Sequence, residues 1–277
     1  MEITEHYIDI KKVLESKGIT KVSPLAVRFL NRLLHVEELN RDIYANREYF
    51  GIDFATQELK SLGVRMEVQG AERIPVDGNP IIAGNHPLGG PDGMALVSVV
   101  GQVRSDVLFP VNDFLLHVPG LRDVFVPIDK VHRNTSNVSA LEAAFAGNNA
   151  LLYFPAGLCS RRTNGVICDT DWKPTFIKKA RQYGRDVVPV YVDAHNRRRF
   201  YTIANLRKRL GVKFNFEMAL LPGEMFAQRG NTFRVVFGQP IPHSVFDERH
   251  TPQQWAQMVK SYVYELGKNP DAQFNVK

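Results

Sequence analysis

The hydrophobic pattern of the chain changes its period near residue 64. Before that point the sequence reads as helices, and Leu25, Phe29, Leu30, Leu33, Val36 and Leu39 recur at helical spacing behind Ser23-Pro24, a pair suited to opening a helix. They predict one amphipathic helix over 24–39, with Arg28, Arg32 and His35 on its other side. A further helix is expected over 53–62, stopped by Gly63. Beyond residue 64 short apolar runs alternate with helical segments, the mark of an α/β sheet. Strands are expected at 64–68, 80–83, 106–111, 124–128, 151–154, 187–192 and 233–237. Helices are expected at 93–100, 136–146, 171–183 and 203–210, with a last one opened by Thr251-Pro252 and ending near Gly267. Gly147 and Gly184 stand where C-terminal caps belong. The predicted fold is an α/β domain over 64–277, a central mostly parallel sheet flanked by helices, with an N-terminal helical extension over 1–63.

Composition narrows the class. With 277 residues, 44% hydrophobic and 23% charged, the chain is an ordinary packed protein, which excludes collagen-like, disordered and disulfide-scaffold readings. Its two cysteines, Cys159 and Cys168, have neither metal nor CxxC spacing, so no structural zinc or other metal is expected. The N-terminus lacks the basic and apolar regions of a signal peptide. The long uncharged run over 143–160 is interrupted by Gly147-Asn148-Asn149 and Pro155-Ala156-Gly157, so no transmembrane helix is predicted. The expected location is cytoplasmic, with any membrane contact peripheral. Charge is concentrated: Arg197, Arg198, Arg199, Arg207, Lys208, Arg209 and Lys213 lie in a stretch without Asp or Glu, and the rest of a chain with net charge +6 is close to neutral. That segment is a candidate for an anionic surface, whether phospholipid, nucleic acid or an acidic carrier protein.

The candidate chemistry lies in Gly84-Asn85-His86-Pro87-Leu88-Gly89-Gly90-Pro91-Asp92-Gly93. An apolar strand runs into a histidine, and an aspartate stands where the next helix begins. Ligands of open α/β sheets bind beyond the carboxyl ends of strands, where His86 is expected. Imidazole can take a proton from a hydroxyl near neutral pH if a carboxylate fixes its tautomer, and Asp92 could be that carboxylate. The simpler readings are a structural histidine and a helix cap. Amides of Gly89, Gly90 and Gly93 could stabilise an oxyanion. Serine-elbow, HExxH and Walker sequences are absent.

These residues resemble the lysophosphatidic-acid-type acyltransferases, in the branch of hemolysin-like proteins related to amino-acid-lipid O-acyltransferases. That family has His and Asp separated by four residues, whereas five separate His86 from Asp92. Further blocks follow in family order over about 64–245. Val126-Pro127-Ile128-Asp129-Lys130 resembles an apolar-Ile-Asp-Arg block, Phe154-Pro155-Ala156-Gly157 a Phe-Pro-Glu-Gly block, and Val188-Pro189-Val190 a Val-Pro-Val strand. Leu221-Pro222-Gly223-Glu224 and Phe237-Gly238-Gln239-Pro240-Ile241-Pro242 resemble the closing loop and strand.

The resemblance implies transfer of a fatty acyl group from acyl carrier protein or acyl-CoA to the hydroxyl of a membrane lyso-lipid, with no cofactor. His86 would be the base and Asp92 its orienting partner. Lys130, Phe154, Pro155, Ala156, Gly157, Ser160, Arg161 and Arg162 would contact substrate, the two arginines suiting a carboxylate or phosphate. Ala156 replaces the family glutamate, which favours a lyso amino-acid lipid over lysophosphatidic acid as acceptor. Cys159 is expected to be a packed thiol. Arg197, Arg198, Arg199, Arg207, Lys208 and Arg209 would meet the anionic membrane or the carrier. The rivals are a lipid-binding protein that has lost turnover and, ranked below it, a nucleic-acid-binding protein using 197–213 with Phe200, Tyr201, Phe214 and Phe216.

Overall fold

The computed structural model describes residues 7–16, 18–112, 118–128 and 135–276. Their centre is a seven-stranded sheet built from β1 (Arg65–Gln69), β2 (Ile81–Gly84), β3 (Val107–Asn112), β4 (Phe125–Ile128), β5 (Ala150–Tyr153), β8 (Val187–Asp193) and β9 (Thr232–Phe237), in the order β1-β9-β8-β2-β5-β3-β4. Every pairing is parallel except β8 with β9, so β1 and β9 run against the other five. The chain leaves β2 for β3 and β4, returns to β5, and then crosses β2 to reach β8. That reversal puts the carboxyl end of β2 at a switch point of the sheet, the usual ligand position in such folds.

The inner parallel strands β2 and β5 are apolar because both faces are covered, whereas edge strand β1 is mostly exposed. On one face α4 (Gly51–Ser61) packs on α5 (Pro91–Gly101), and Phe54, Val97 and Val100 share a core with Val188 and Val235. Ile8, Ile10, Val36 and Ile43 join the same core, so the N-terminal helices α1 (Ile10–Ser16), α2 (Pro24–Leu33) and α3 (Val36–Ala45) share it with the sheet. The other face carries α6 (Thr135–Ala146), α7 (Thr175–Tyr183) and α10 (Pro252–Leu266), with Trp172, Phe176 and Trp255 fully buried. A capping box between Thr251 and Gln254 starts α10 where Thr251-Pro252 predicts.

The expected single helix over 24–39 is instead two helices. His35 takes a left-handed backbone (φ +50°) between α2 and α3, turning the chain at a position where the apolar spacing continues unbroken. Gly147 is not in the left-handed region; fully buried Arg185 satisfies the end of α6 by donating to the carbonyls of Ala144, Phe145 and Gly147. Gly184, at φ +63°, caps α7 as expected. Three elements escaped the hydrophobic pattern. The hairpin of β6 (Arg161–Thr163) and β7 (Val166–Cys168) and the short helix α9 (Leu221–Phe226) carry few apolar repeats, and α8 (Arg198–Arg209) begins five residues before its expected start because its first turn is basic. Among the described residues no helix is long and apolar enough to cross a membrane.

Candidate active site

The end of β2 is fixed by the residue before the histidine. Asn85 is buried, donates from Nδ2 to the carbonyl of Val192 at 2.9 Å and accepts the Val192 amide at 2.7 Å. Asn196 reaches back to the carbonyls of Pro87 and Leu88 from the other side of the loop. His86 is thereby held where β2, β5 and β8 end together, and its ring stacks on Phe154, with centroids 4.1 Å apart and planes inclined by 16°.

Asp92 is fully buried and serves two purposes. Its Oδ2 lies 2.8 Å from Nδ1 of His86 and accepts the amides of Leu88 (2.9 Å) and Gly89 (3.4 Å), while Oδ1 accepts the Gly93 amide at 3.0 Å. Five intervening residues therefore still bring the pair into direct contact. The cap of α5 is Gly90, with Pro91 in the first turn, so Asp92 is not the capping residue. Burial alone would raise its carboxyl; the charge of His86, its hydrogen bond and the loop amides outweigh burial and hold Asp92 below the ordinary carboxylate range. An ionised Asp92 accepts from Nδ1, and Nε2 has no protein partner among the described residues. Gly89 sits at φ +94°, and a Cβ there would come within 2.8 Å of Leu221. Of the three glycine amides expected to hold an oxyanion, those of Gly89 and Gly93 are given to Asp92, and the Gly90 amide remains unengaged among the described residues.

A second carboxylate approaches the histidine from behind. Asp169 accepts the His86 amide at 3.2 Å, the Ser160 hydroxyl at 2.6 Å and the Trp172 indole N–H at 2.9 Å. The Ser160 amide in turn donates to the His86 carbonyl at 2.7 Å. Burial dominates here and pushes Asp169 up, the opposite of Asp92. Asp169 was invisible in the sequence, since its only signal is a short strand that the hydrophobic pattern does not reveal.

The remaining predicted residues divide. Phe154 meets His86; Pro155 and Ala156 are buried, and Ala156 belongs to the apolar cluster of Trp172 and Phe176. Gly157, at φ +67°, closes a turn by donating its amide to the Phe154 carbonyl at 3.0 Å. Ser160 is buried and ties the loops. Cys159 is packed and burial pushes its thiol up to about 11, despite nearby Arg161. Arg161 is 12% exposed at its side chain and is bound to the Cys159 carbonyl (2.6 Å) and to Glu217 (3.0 Å). Arg162 is half-buried, 3.4 Å from the Thr202 hydroxyl. Asp129 and Lys130 lie outside the described residues.

The basic segment is less naked than its sequence suggests. Arg197 and Arg199 pair with fully buried Glu224 at 3.2 and 2.9 Å, and Arg207 pairs with fully buried Glu217 at 2.8 Å. Three of the seven charges expected to be uncompensated thus have counter-ions that lie just beyond the segment in sequence. Arg198, Lys208, Arg209 and Lys213 form no ion pair among the described residues. Phe200 and Tyr201, two of the four aromatics of the nucleic-acid reading, are buried and cannot stack with bases, while Phe214 and Phe216 are exposed. No cluster of metal-ligand type occurs among the described residues.

A family model described as acyltransferase matches residues 14–273. Over 264 residues the chain is 42% identical to the lyso-glycine lipid O-acyltransferase of Bacteroides thetaiotaomicron, covering 94% of this chain and 97% of that protein. It is 40% identical to the protein of the same name from Phocaeicola vulgatus, covering 94% and 95%. Among solved structures it is similar to the 1-acyl-sn-glycerophosphate acyltransferase PlsC of Thermotoga maritima, with a TM-score of 0.49 and 16% identity over 98% of this chain and 92% of that one. A family match over residues 14–273 and relatives at this identity over 94% of its length establish that the chain belongs to the acyltransferase family and is an enzyme.

Proposed function

We propose that this enzyme transfers a fatty acyl group from a carrier-protein or CoA thioester to the hydroxyl of a lyso-glycine lipid, with His86 as general base and Asp92 as its orienting partner. The observation that carries this reading is the 2.8 Å contact between His86 Nδ1 and an ionised, buried Asp92. The contact frees Nε2 to take a proton. The glycine-lipid acceptor is drawn from the names of the two relatives, and buried Ala156 agrees with an acceptor other than lysophosphatidic acid.

In this mechanism Nε2 removes the acceptor hydroxyl proton as the oxygen attacks the thioester carbonyl. Asp92 stabilises the resulting imidazolium, and the Gly90 amide is the loop donor available to the oxyanion. Collapse breaks the carbon–sulfur bond, and the imidazolium returns its proton to the departing thiolate. An ester and a free thiol result, and the enzyme is restored.

Membrane access fits a peripheral mode. Leu25 and Phe29 on α2 are 79% and 65% exposed, and Phe214 beyond α8 is 77% exposed. Exposed Leu206, Leu210 and Val212 lie near the unpaired Arg198, Lys208, Arg209 and Lys213, a mixture suited to the interface of an anionic leaflet.

The test is transfer of labelled acyl groups from acyl carrier protein and from acyl-CoA to a lyso-glycine lipid in detergent. Wild type should form the ester, and His86→Ala, folded by circular dichroism, should not. A folded and active His86→Ala protein overturns the mechanism; wild type that binds lipid without product supports the rival without turnover.

A further inference from the structure

The loop between His86 and Asp92 is held at both ends of its peptide planes. The Pro87–Leu88 and Leu88–Gly89 planes give their amides to Asp92 Oδ2, at 2.9 and 3.4 Å. The carbonyls of the same two planes accept from one side chain, Asn196, whose Nδ2 lies 3.2 Å from the Pro87 oxygen and 3.4 Å from the Leu88 oxygen. Each plane therefore bridges Asn196 and Asp92, carbonyl end to one and amide end to the other.

Asn196 is 1% exposed, and its two amide hydrogens match the two carbonyls. Its buried Oδ1 has no hydrogen-bond partner among the described residues. Turning the amide over would set Oδ1 against two carbonyl oxygens, so the donors alone decide how the side chain points. Donation into a carbonyl also strengthens the N–H of the same plane as a donor, and it fixes the tilt of that plane.

The backbone of Asn196 is anchored outside the loop. It lies between β8 and α8, and its amide donates to the Tyr201 hydroxyl of α8 at 3.0 Å. The next amide, of Arg197, donates to buried Glu224 at 2.7 Å, and the preceding carbonyl, of His195, accepts from Gln228 at 3.2 Å. Asn85 has a different role. Both ends of its amide are engaged by Val192, so it anchors the end of β2 rather than the planes that hold Asp92.

We propose that Asn196 is a positioning residue for the His86–Asp92 pair: by holding the carbonyl ends of the two planes, it aims their amides at Asp92 and fixes that carboxylate against Nδ1 of His86. The proposal rests on the mechanism above and deepens it. The other titratable groups around the pair are Asp169, which accepts the His86 amide, and Cys159, whose thiol burial pushes up to about 11. Neither hydrogen-bonds to Asn196 among the described residues. Tyr201, pushed up to about 12 by burial, meets its backbone amide, which a side-chain substitution leaves in place. Arg161 is engaged by Glu217, and Glu224 by Arg197 and Arg199. Truncation of Asn196 therefore reaches the pair through the two planes.

With its amides less well aimed, Asp92 is a poorer anion, and the pair takes up a proton more readily. NMR of the histidine rings reads the midpoint of that uptake without substrate, the His86 signal being the one missing from His86→Ala. In Asn196→Ala the midpoint should move up by about 0.5–1 pH unit. In the transfer assay with lyso-glycine lipid in detergent, kcat should fall about tenfold while both KM values stay within about twofold of wild type. Asn196→Ser, whose hydroxyl can serve one carbonyl, should lie between the two, and it decides if Asn196→Ala does not fold. An unmoved midpoint in a folded variant overturns the proposal whatever its stability, and so does a moved midpoint with unchanged kcat. If neither variant folds, Asn196 is a structural residue and the proposal falls. A folded, active His86→Ala protein, or a wild type without transfer, overturns the catalytic reading instead; the midpoint, read without substrate, keeps the two failures apart.

Discussion

Asp92 and Asp169 at the histidine loop, and Glu217 and Glu224 beneath the basic segment, are equally buried carboxylates with different work. At the loop the partners are an imidazole, an indole, a hydroxyl and backbone amides. Under the basic segment they are guanidiniums, Arg161 and Arg207 for Glu217, Arg197 and Arg199 for Glu224. Guanidinium stays charged across the working pH range, so the second set fixes charge and shape. The first set holds an imidazole and neutral donors instead, so it orients a ring and a loop. Within the loop the two acids are driven apart as well, Asp92 held down against the effect of burial and Asp169 pushed up by it.

Substitution at Asp92 should break the comparison most sharply. Asp92→Asn should lower kcat by roughly 10²–10⁴, as loss of a positioned acid–base partner does, measured in the transfer assay. It should also flatten the acid limb of stability. A carboxyl lowered from its ordinary value of 3.8 stabilises the fold above that value and loses the contribution as pH falls through the lowered one. Asp169→Asn serves as the contrast and should reduce thermal stability more than kcat. Equal losses of kcat in the two variants would erase the distinction between them.

The next effect belongs to the guanidinium side. Glu217→Gln leaves Arg161 and Arg207, only 12% and 14% exposed at their side chains, without their counter-ion. Stranding a buried charge costs about 3–5 kcal/mol, which denaturant unfolding would read, while kcat of the folded fraction should stay near wild type. Glu224→Gln should cost less, since Arg197 and Arg199 are about half exposed and can turn to water.

The smallest effect sharpens the division within the basic segment itself. Neutralising unpaired Arg198, Lys208, Arg209 or Lys213 should weaken binding to anionic vesicles by about 1 kcal/mol per charge. Sedimentation with vesicles of graded anionic content measures it. Equal losses on neutralising paired Arg207 would show that pairing with Glu217 does not withdraw a charge from the surface.

The seven sheet strands were legible within a residue or so at most ends, because a doubly covered parallel strand must be apolar along its length and β2, β5 and β8 obey this without exception in their buried runs. The His86–Asp92 pair was legible too, as two reactive residue types at a strand end and a helix start. What the pattern missed has a common cause. The β6–β7 hairpin and α9 are short and half polar, so they carry no periodic signal, and the turn at His35 interrupts no apolar spacing. Asp169 and Glu217 look like any surface acids in the chain, and the block that contains Glu224 gives no sign of the arginines it pairs with.

The sequence by itself thus determined the strands, the order of the blocks and the nearness of His86 to Asp92, since each depends on hydrophobic period or on residues close along the chain. Tertiary structure decided the rest. Only folding brings Asp169 to the amide of His86 across eighty-three positions, or sets Glu224 under Arg197 and Arg199. Whether a carboxylate holds a proton, fixes a cation or faces water depends on which groups share its buried volume, and residues distant in the chain supply those groups.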